Sequence, residues 1–482
     1  MSGRPPHIVY VLADDMGFGD LACNDPAAKI PTPHLDRLAS RGMRMTDMHA
    51  TSAVCTPSRY SLLTGRYAWR TPLKSGIVWP WDAPLIDEEQ PTVAAFLQDN
   101  GYRTACIGKW HLGWDWPTKD GTHPNDTLEF GTYCDDERAE YEDNIDYAQP
   151  VAGGPVDRGF DSYFGVDVPN FTPYSWFVDD RVTEAPTVPK PDDLYGHPGR
   201  AVPGWSHEAM IPAFTQRAVS LIEETGSDSD GPPLFLYYAL TSPHSPVVPN
   251  DEFKGASGIG NYGDFVCEVD WLVGELVDAL ERAGLFDNTL FIFTSDNGPE
   301  RQVGDDEGVF ERARRTRHFS MGPWRGAKVD VWEAGHRVPF IATWPEVIPE
   351  AAVSHDMVSL VDFMATCAEI LDRPLPHGAS EDGVSMLAQL RGEEAPDRAP
   401  LVLHGGDGRL ALRDGDWMFI DAPSGGVWPE PEWYREEQGY VPHDLPGELF
   451  NLADDPTERT NLYADKPEVV ERMTATLERL RQ

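Results

Sequence analysis

Four short apolar runs frame this chain, and each one ends in a polar cluster. HIVYVLA (7–13) leads into Asp14 and Asp15, and RTACIG (103–108) leads into Lys109 and His111. LFLYYAL (234–240) leads into TSPH and His244, and LFIFTS (290–295) leads into Asp296 and Asn297. Runs this short, apolar or aromatic without polar alternation, read as strands buried on both faces. Between them HLDRLASRG (34–42), TVAAFLQDNG (92–101) and VCEVDWLVGELVDALERAG (266–284) read as helices. Strands alternating with helices predict an α/β fold with a mostly parallel central sheet flanked by helices. In such sheets ligands bind beyond the carboxyl ends of the strands, and all four polar clusters fall at that end.

After about residue 393 (EEAPDRAP) the pattern changes to short strands, RLALRDGDWMFID and GELFNLADD, and a terminal helix, PEVVERMTATLERL. The expected division is therefore a larger α/β domain over 1–392 and a smaller C-terminal α+β subdomain over 393–482. Residues 184–204 are proline-rich and read as an irregular excursion, while 300–320, with the run ERARRTRH, reads as a charged loop near the strand ends. No internal repeat is present in the sequence.

Charge limits the partners. With 80 acidic and 39 basic residues the formal net charge is −41, which disfavours nucleic acid. The acidic surface reads as a solubility adaptation to salty surroundings, and any site for an anion must be locally basic. No segment reaches the ~18 apolar residues of a membrane span, so no membrane partner is expected. The N-terminal MSGRPPHIVYVLADD runs into a strand without a cleavage region. That predicts a cytoplasmic location, or a secreted one if a leader preceded it. Cys23, Cys55, Cys106, Cys134, Cys267 and Cys367 are scattered with no CxxC pair, suggesting neither a disulfide framework nor a zinc site.

Paired acids after one strand are more often a helix cap and a surface charge than a metal site, and Asn-Gly is a common turn. Asp14 and Asp15 together with Asp296 and Asn297 are more telling. They supply four oxygen donors from equivalent sheet ends, the preference of Ca²⁺ or Mg²⁺. In VCTPSRYSLLTGR (54–66), Pro57 suits the first turn of a helix and Gly65 its end, which puts Cys55 at or just before a helix N-terminus. A thiol there has a lowered pKa and serves as a nucleophile, unless it is simply a buried structural cysteine. Sulfur is too soft for a hard cation held by carboxylates. If Cys55 joins that site, its side chain should be converted to an oxygen donor.

CTPSR resembles the C-x-P-S-R signature of type I sulfatases, whose cysteine is oxidised to formylglycine. LADDMGFGD, TPHLDRLASRG, CTPSRYSLLTGR, GKWHLG, SPHSP, TSDNG and RGAKVDVWEAGHRVP are similar to sulfatase blocks in family order, and ELFNLADDPTERTNL resembles the family's C-terminal pattern. RGAK stands where the family often has RGGK, with the lysine kept. The secretion signal that many sulfatases carry is missing from this sequence. The resemblance implies the alkaline phosphatase superfamily fold. It assigns Asp14, Asp15, Asp296 and Asn297 to one calcium ion (Mg²⁺ being the alternative), with formylglycine from Cys55 as a further ligand. Arg59, Lys109, His111, His244 and Lys328 match the positions around the modified residue and the sulfate. Each also has a plain alternative: solvated helix or surface charges for Arg59, Lys109 and Lys328, hydrogen-bonded core histidines for His111 and His244.

The implied reaction is hydrolysis of a sulfate monoester, with a sulfated carbohydrate as substrate and a formylglycine-generating enzyme needed for maturation. In it, the hydrated aldehyde attacks sulfur, and Lys109, Lys328, Arg59 and the metal steady the sulfuryl oxygens. His244, with Lys328, protonates the leaving group, and His111 is the base for the second hydroxyl. An aryl sulfate, a phosphonate or phosphate ester, and a non-catalytic sulfated-glycan binder with an unmodified Cys55 stay as alternatives. WPW (79–81) and KWHLGWDW (109–116) gather tryptophans that either stack on the substrate or pack the loops.

Overall fold

In the computed structural model, which describes residues 4–301, 308–396 and 398–481, the four apolar runs lie side by side in one ten-stranded sheet. The His7–Asp14 strand is central, paired in parallel with Leu234–Pro243 on one side and Thr289–Ser295 on the other. Arg103–Lys109 and then Ser162–Val166 extend the parallel order past Leu234–Pro243. Antiparallel pairing enters outside these five, where Phe340–Thr343 meets Thr289–Ser295 and Phe177–Val178 meets Ser162–Val166. The sheet is thus mixed, and parallel where the polar clusters gather.

Every residue of His7–Asp14 is buried, because both faces of the sheet are covered. Ile8, Tyr10 and Leu12 enter one core with Tyr60, Leu62 and Leu63 of the Cys55–Thr64 helix. Val9 and Val11 enter the other, with Phe214 and Leu221 of the Met210–Gly226 helix and Val269 and Leu272 of the Asn261–Arg282 helix. The period-2 alternation of a strand is present, but both sides find apolar partners, so the run shows no polar face. Truncating one such leucine to alanine costs about 2–5 kcal/mol.

The Cys55–Thr64 helix begins after an extended Val54 and is buried at every position. Gly65 ends it in the left-handed region (φ 66°), where its N–H donates to Ser61 O and a Cβ would stand 2.5 Å from Ser380 Cα. Only glycine fits that stop.

Leu401–His404, Leu410–Asp414, Trp417–Ile420 and Glu448–Asn451 form a four-stranded antiparallel sheet, with Met473 and Leu477 of the Pro467–Leu480 helix in its core. That core also takes in Tyr67, Trp69, Val331, Trp332 and Val361 from the larger part of the chain. His404 O accepts from Ala53 N and Ser52 Oγ, so this sheet steadies the residues leading into Cys55.

One expectation needs correcting. Val309–Thr316 is a helix, not a charged loop: Val309, Phe310 and Ala313 make a buried face, and the buried Arg312 lies over the Tyr262 ring at 3.6 Å. Arginines hid an amphipathic period there; residues 302–307 lie outside the described residues. The 184–204 excursion is irregular apart from one short pairing of Val188–Pro189 with Arg200–Ala201. Among the described residues no helix is long and apolar enough to cross a membrane.

Candidate active site

The register of the four adjacent strands brings their polar ends together. Asp14 closes His7–Asp14 and Asp15 follows it, while Asp296 and Asn297 follow the neighbouring Thr289–Ser295, whose last residue pairs with Ala13. Lys109 closes Arg103–Lys109, and His244 follows Leu234–Pro243. Gly108, just before Lys109, has φ 104°, and a Cβ there would come within 1.8 Å of Ala239 O. The strand can bend into the site only with glycine at that point. Asp15, His111 and Val329 also hold positive φ (65°, 56° and 75°), a strain that clusters at functional sites.

Asp14, Asp15, Asp296, Asn297, Arg59 and Lys109 are wholly inaccessible to solvent, and Cys55, His111 and His244 are buried with them. Lys109 Nζ donates to Asp14 at 2.8 Å and Lys328 Nζ to Asp15 at 2.6 Å. Arg59 donates through Nε and Nη2 to Asp296 Oδ2 at 3.0 and 2.7 Å, and its Nη2 lies 3.3 Å from Asp14. Asn297 Nδ2 donates to Asp15 Oδ1 at 2.6 Å, and Asp15 N to Asp296 Oδ1 at 3.2 Å. Ligand atoms of Asp14, Asp15, Cys55 and His244 lie within 4.8 Å of one another. All ten residues singled out by sequence therefore meet in one place. The solvated alternatives for Arg59 and Lys109 do not hold.

Over the wholly buried acids the formal charges cancel: Asp14, Asp15 and Asp296 face Arg59, Lys109 and Lys328. Burial pushes Asp296 up to about 7, with Asp14 and Asp15 adding to what Arg59 offsets. Burial also raises Asp15, against the pull of Lys328. For Asp14 the burial penalty is outweighed by Lys109, His244 and Arg59, and its carboxyl sits well below the usual range. Three acids this close hold their charge poorly without more positive charge. Asn297 Oδ1 stands buried among them with no hydrogen-bond partner. An unpaired oxygen within a set of carboxylate oxygens fits a hard cation such as Ca²⁺.

Cys55 corrects the sequence reading. Burial pushes its thiol up to about 12, with Lys109 and Lys328 offsetting only part of the penalty. Burial outweighs the helix N-terminus and the nearby cations, so these protein groups alone do not activate the thiol.

The two histidines are oriented differently. His111 Nε2 donates to Val78 O at 3.1 Å, leaving Nδ1 buried and without a partner. Burial, then Lys109 and Arg59, hold this ring well below its usual pKa, so it is neutral with a free acceptor. His244 Nδ1 donates to Ser245 O, and Nε2 faces Asp15 at 3.7 Å. Burial, with Lys328, lowers its pKa to about 4.

Two residues went unread in the sequence. Asp167 accepts from His111 N at 3.2 Å and so fixes the histidine's loop, and Glu300 accepts from Ser245 N and Oγ and lies 3.9 Å from Lys328 Nζ. Asp167 follows the Ser162–Val166 strand, so the strand-end rule would have found it had DSYFGV carried a stronger apolar signal.

The family model described as Sulfatase matches residues 6–372. The chain is 33% identical over 501 residues to N-acetylgalactosamine-6-O-sulfatase of Bacteroides thetaiotaomicron, covering 99% of this chain and 93% of that one. It is 30% identical over 482 residues to human Arylsulfatase A, covering 95% and 83%. A solved structure described under "Metabolism of multiple glycosaminoglycans by bacteroides thetaiotaomicron" superposes with a TM-score of 0.82 at 32% identity, covering 99% of this chain and 100% of that one. Ps i-CgsB in complex with k-i-k-neocarrahexaose shares the fold, with a TM-score of 0.71 at 22% identity over 99% and 93% of the two chains.

Proposed function

This chain belongs to the sulfatase family and is an enzyme that hydrolyses sulfate esters, and from that premise we propose that it acts on a sulfated carbohydrate, with residue 55 as formylglycine beside one calcium ion. The name of the 33%-identical relative supports an amino sugar sulfated at its 6-position. The observation that carries the reading is the pocket's charge balance around the unpaired Asn297 Oδ1. Formally neutral over its three wholly buried carboxylates, the pocket becomes +2 with a divalent cation, or +1 when Glu300 beside Lys328 is counted. A chain of net charge −41 needs such a local excess to hold a sulfate ester.

Asp14, Asp15, Asp296 and Asn297 would hold the ion together with the oxygen of the converted residue 55. When bound, calcium supplies Lewis-acid stabilisation and makes a hydroxyl on residue 55 easier to deprotonate. Conversion of Cys55 by a formylglycine-generating enzyme supplies a hydrated aldehyde, with one hydroxyl to attack sulfur and a second to drive release of sulfate. The thiol itself, raised to about 12, has no comparable reactivity.

The remaining work falls to side chains of this chain. Lys109, Lys328 and Arg59 carry charge without competing hydration and donate to the sulfuryl oxygens. His244 Nε2 faces Asp15 at 3.7 Å. The negative charge of a bound sulfate ester would raise the pKa of His244 enough to protonate that nitrogen, which with Lys328 then delivers a proton to the leaving oxygen. His111, neutral with its Nδ1 free, accepts the proton of the second hydroxyl.

The test is sulfate release from N-acetylgalactosamine 6-sulfate, an aryl sulfate and a phosphate monoester, by wild type and Cys55→Ala. The sugar sulfate is expected to turn over fastest, with a loss of about 10³-fold or more in Cys55→Ala. Faster turnover of the phosphate ester would overturn the substrate assignment.

A further inference from the structure

A file of aromatic rings leads outward from the sulfate pocket. His111 meets Phe171 edge-on at 5.8 Å, Phe171 stacks on Trp79 at 5.0 Å, and Trp79 meets Tyr133 at 4.7 Å and His197 at 5.7 Å. The root of this file is firm, since Val78 N donates to Thr56 Oγ1 beside Cys55 and Val78 O accepts from His111. Its outer end is open: Tyr133 is 53% exposed. There Tyr133 and His197 form one wall of a cavity of about 470 Å³.

Two features of that cavity point to a ligand. Asn170 lines it, is 8% exposed, and its Oδ1 is buried without a partner. The rest of the wall is acidic, with Asp135, Asp192 and Asp193 on it. Asp135 is engaged by Tyr133 Oη and His197 Nδ1, whereas Asp192 and Asp193 are exposed. The nearby cation, Lys190, donates to the carbonyls of Pro191 and Leu194 and is tied back from the opening.

We propose that this cavity is a subsite for the sugar next to the sulfated one, and that it takes an uncharged sugar in preference to a uronate or a second sulfated unit. The proposal rests on the sulfated-carbohydrate reading of the pocket. A pyranose presents an apolar face that packs on an aromatic ring and a rim of hydroxyls that donate to acceptors. Tyr133 offers the ring and Asn170 Oδ1 the acceptor, which gains the donor it lacks. An anionic neighbour would instead face Asp192 and Asp193 with no free cation among the cavity residues. Each such pair costs about fivefold in affinity at contact distance in water.

The experiment compares three substrates: N-acetylgalactosamine 6-sulfate alone, linked to a neutral hexose, and linked to a uronate. At low salt the neutral disaccharide should exceed the uronate one in kcat/KM by about 10-fold, and the gap should close when the Debye length falls to about 3 Å in ~1 M salt. The double substitution Asp192→Asn, Asp193→Asn should narrow the same gap. Tyr133→Ala should lower kcat/KM on the neutral disaccharide about 10-fold relative to the monosaccharide. Equal kcat/KM on all three substrates at low salt, or a preference for the uronate, would overturn the subsite. If none of the three releases sulfate, it is the enzymatic reading that fails. The subsite is then read by calorimetric binding of the two disaccharides: tighter neutral binding, weakened by Tyr133→Ala, supports it, and equal binding overturns it.

Discussion

Two clusters of buried charge share the same two chain segments, and they are built to opposite ends. Residues 47–55 run from Asp47 and His49 to Cys55, and residues 328–337 run from Lys328 to Glu333, His336 and Arg337. Each cluster brings histidine and acid ligand atoms close enough to share one ion: Asp14, Asp15, Cys55 and His244 in the first, His49, Glu333 and His336 in the second. In the second cluster the groups are largely engaged with one another. Arg337 pairs with both Asp47 and Glu333, Arg413 reaches Asp47, and His49 Nε2 lies 2.9 Å from Asp47. His336 Nε2 donates to Val331 O, which leaves its Nδ1 to accept from His49 Nδ1 at 3.0 Å. Glu333 Oε1 and Arg413 Nε face each other at 4.0 Å. Guanidinium groups already sit where a cation would. In the first cluster the acids crowd one another, Asp296 is pushed up to about 7, and Asn297 Oδ1 is left open. The joint keeps unpaired atoms too, Glu333 Oε1 and Arg413 Nε, but its own guanidinium groups fill the cation position, whereas the binding site leaves that position to a ligand.

Substitutions should separate the two clusters cleanly. Cys55→Ala should abolish turnover, by about 10³-fold or more, while the thermal midpoint moves by no more than about 2 °C. Comparable loss of stability there would mean that residue 55 is structural. Arg337→Met should do the reverse. It leaves Glu333 and Asp47 buried without their main partner, which costs about 3–5 kcal/mol in a denaturant titration. The folded fraction should keep its kcat.

Removing calcium sharpens the contrast further. Chelation should stop turnover and lower stability by about 2.7 kcal/mol if the ion had been present at ~100 times its Kd. Asn297→Ala should raise the calcium concentration needed for recovery about tenfold, whereas His336→Asn should leave it unchanged. Acid should weaken the joint as well. Burial, with His49 and Arg337, holds His336 neutral, at a pKa of about 3. The unfolded chain protonates this residue near its ordinary ~6.5, so its contribution is complete above that value and is lost as pH falls toward 3. Glu333, held to about 2 chiefly by Arg337 and His49 against burial, loses its contribution below the usual ~4.3. Urea midpoints at pH 7 and 4.5 should differ by on the order of 2 kcal/mol from His336 alone, and His336→Asn should flatten that difference.

The first cluster was legible in the sequence and the second was not, for a physical reason. Strand ends announce themselves locally, because an apolar run must stop where the sheet stops, and Asp14, Lys109, His244 and Asp296 each stand beside such a stop. Cys55 was placed by the helix signals of Pro57 and Gly65. The joint depends on residues such as His49 and His336, 287 positions apart and without any local pattern. Burial of Arg59 and the raised Cys55 thiol were also beyond a sequence reading, since both depend on packing over the Cys55–Thr64 helix from every side. The Val309–Thr316 helix was masked by its arginines, which suggested solvent although Arg312 lies inside.

The central claim is that residue 55 works as formylglycine, and it can be measured directly. Preparations spanning a range of conversion at residue 55, each quantified by mass spectrometry of the peptide carrying it, would be assayed on N-acetylgalactosamine 6-sulfate with calcium present. The account predicts turnover proportional to the converted fraction, with the complementary fraction of residue 55 alkylated as a thiol only after the assayed protein is denatured. Full turnover by protein whose residue 55 is entirely cysteine would contradict it.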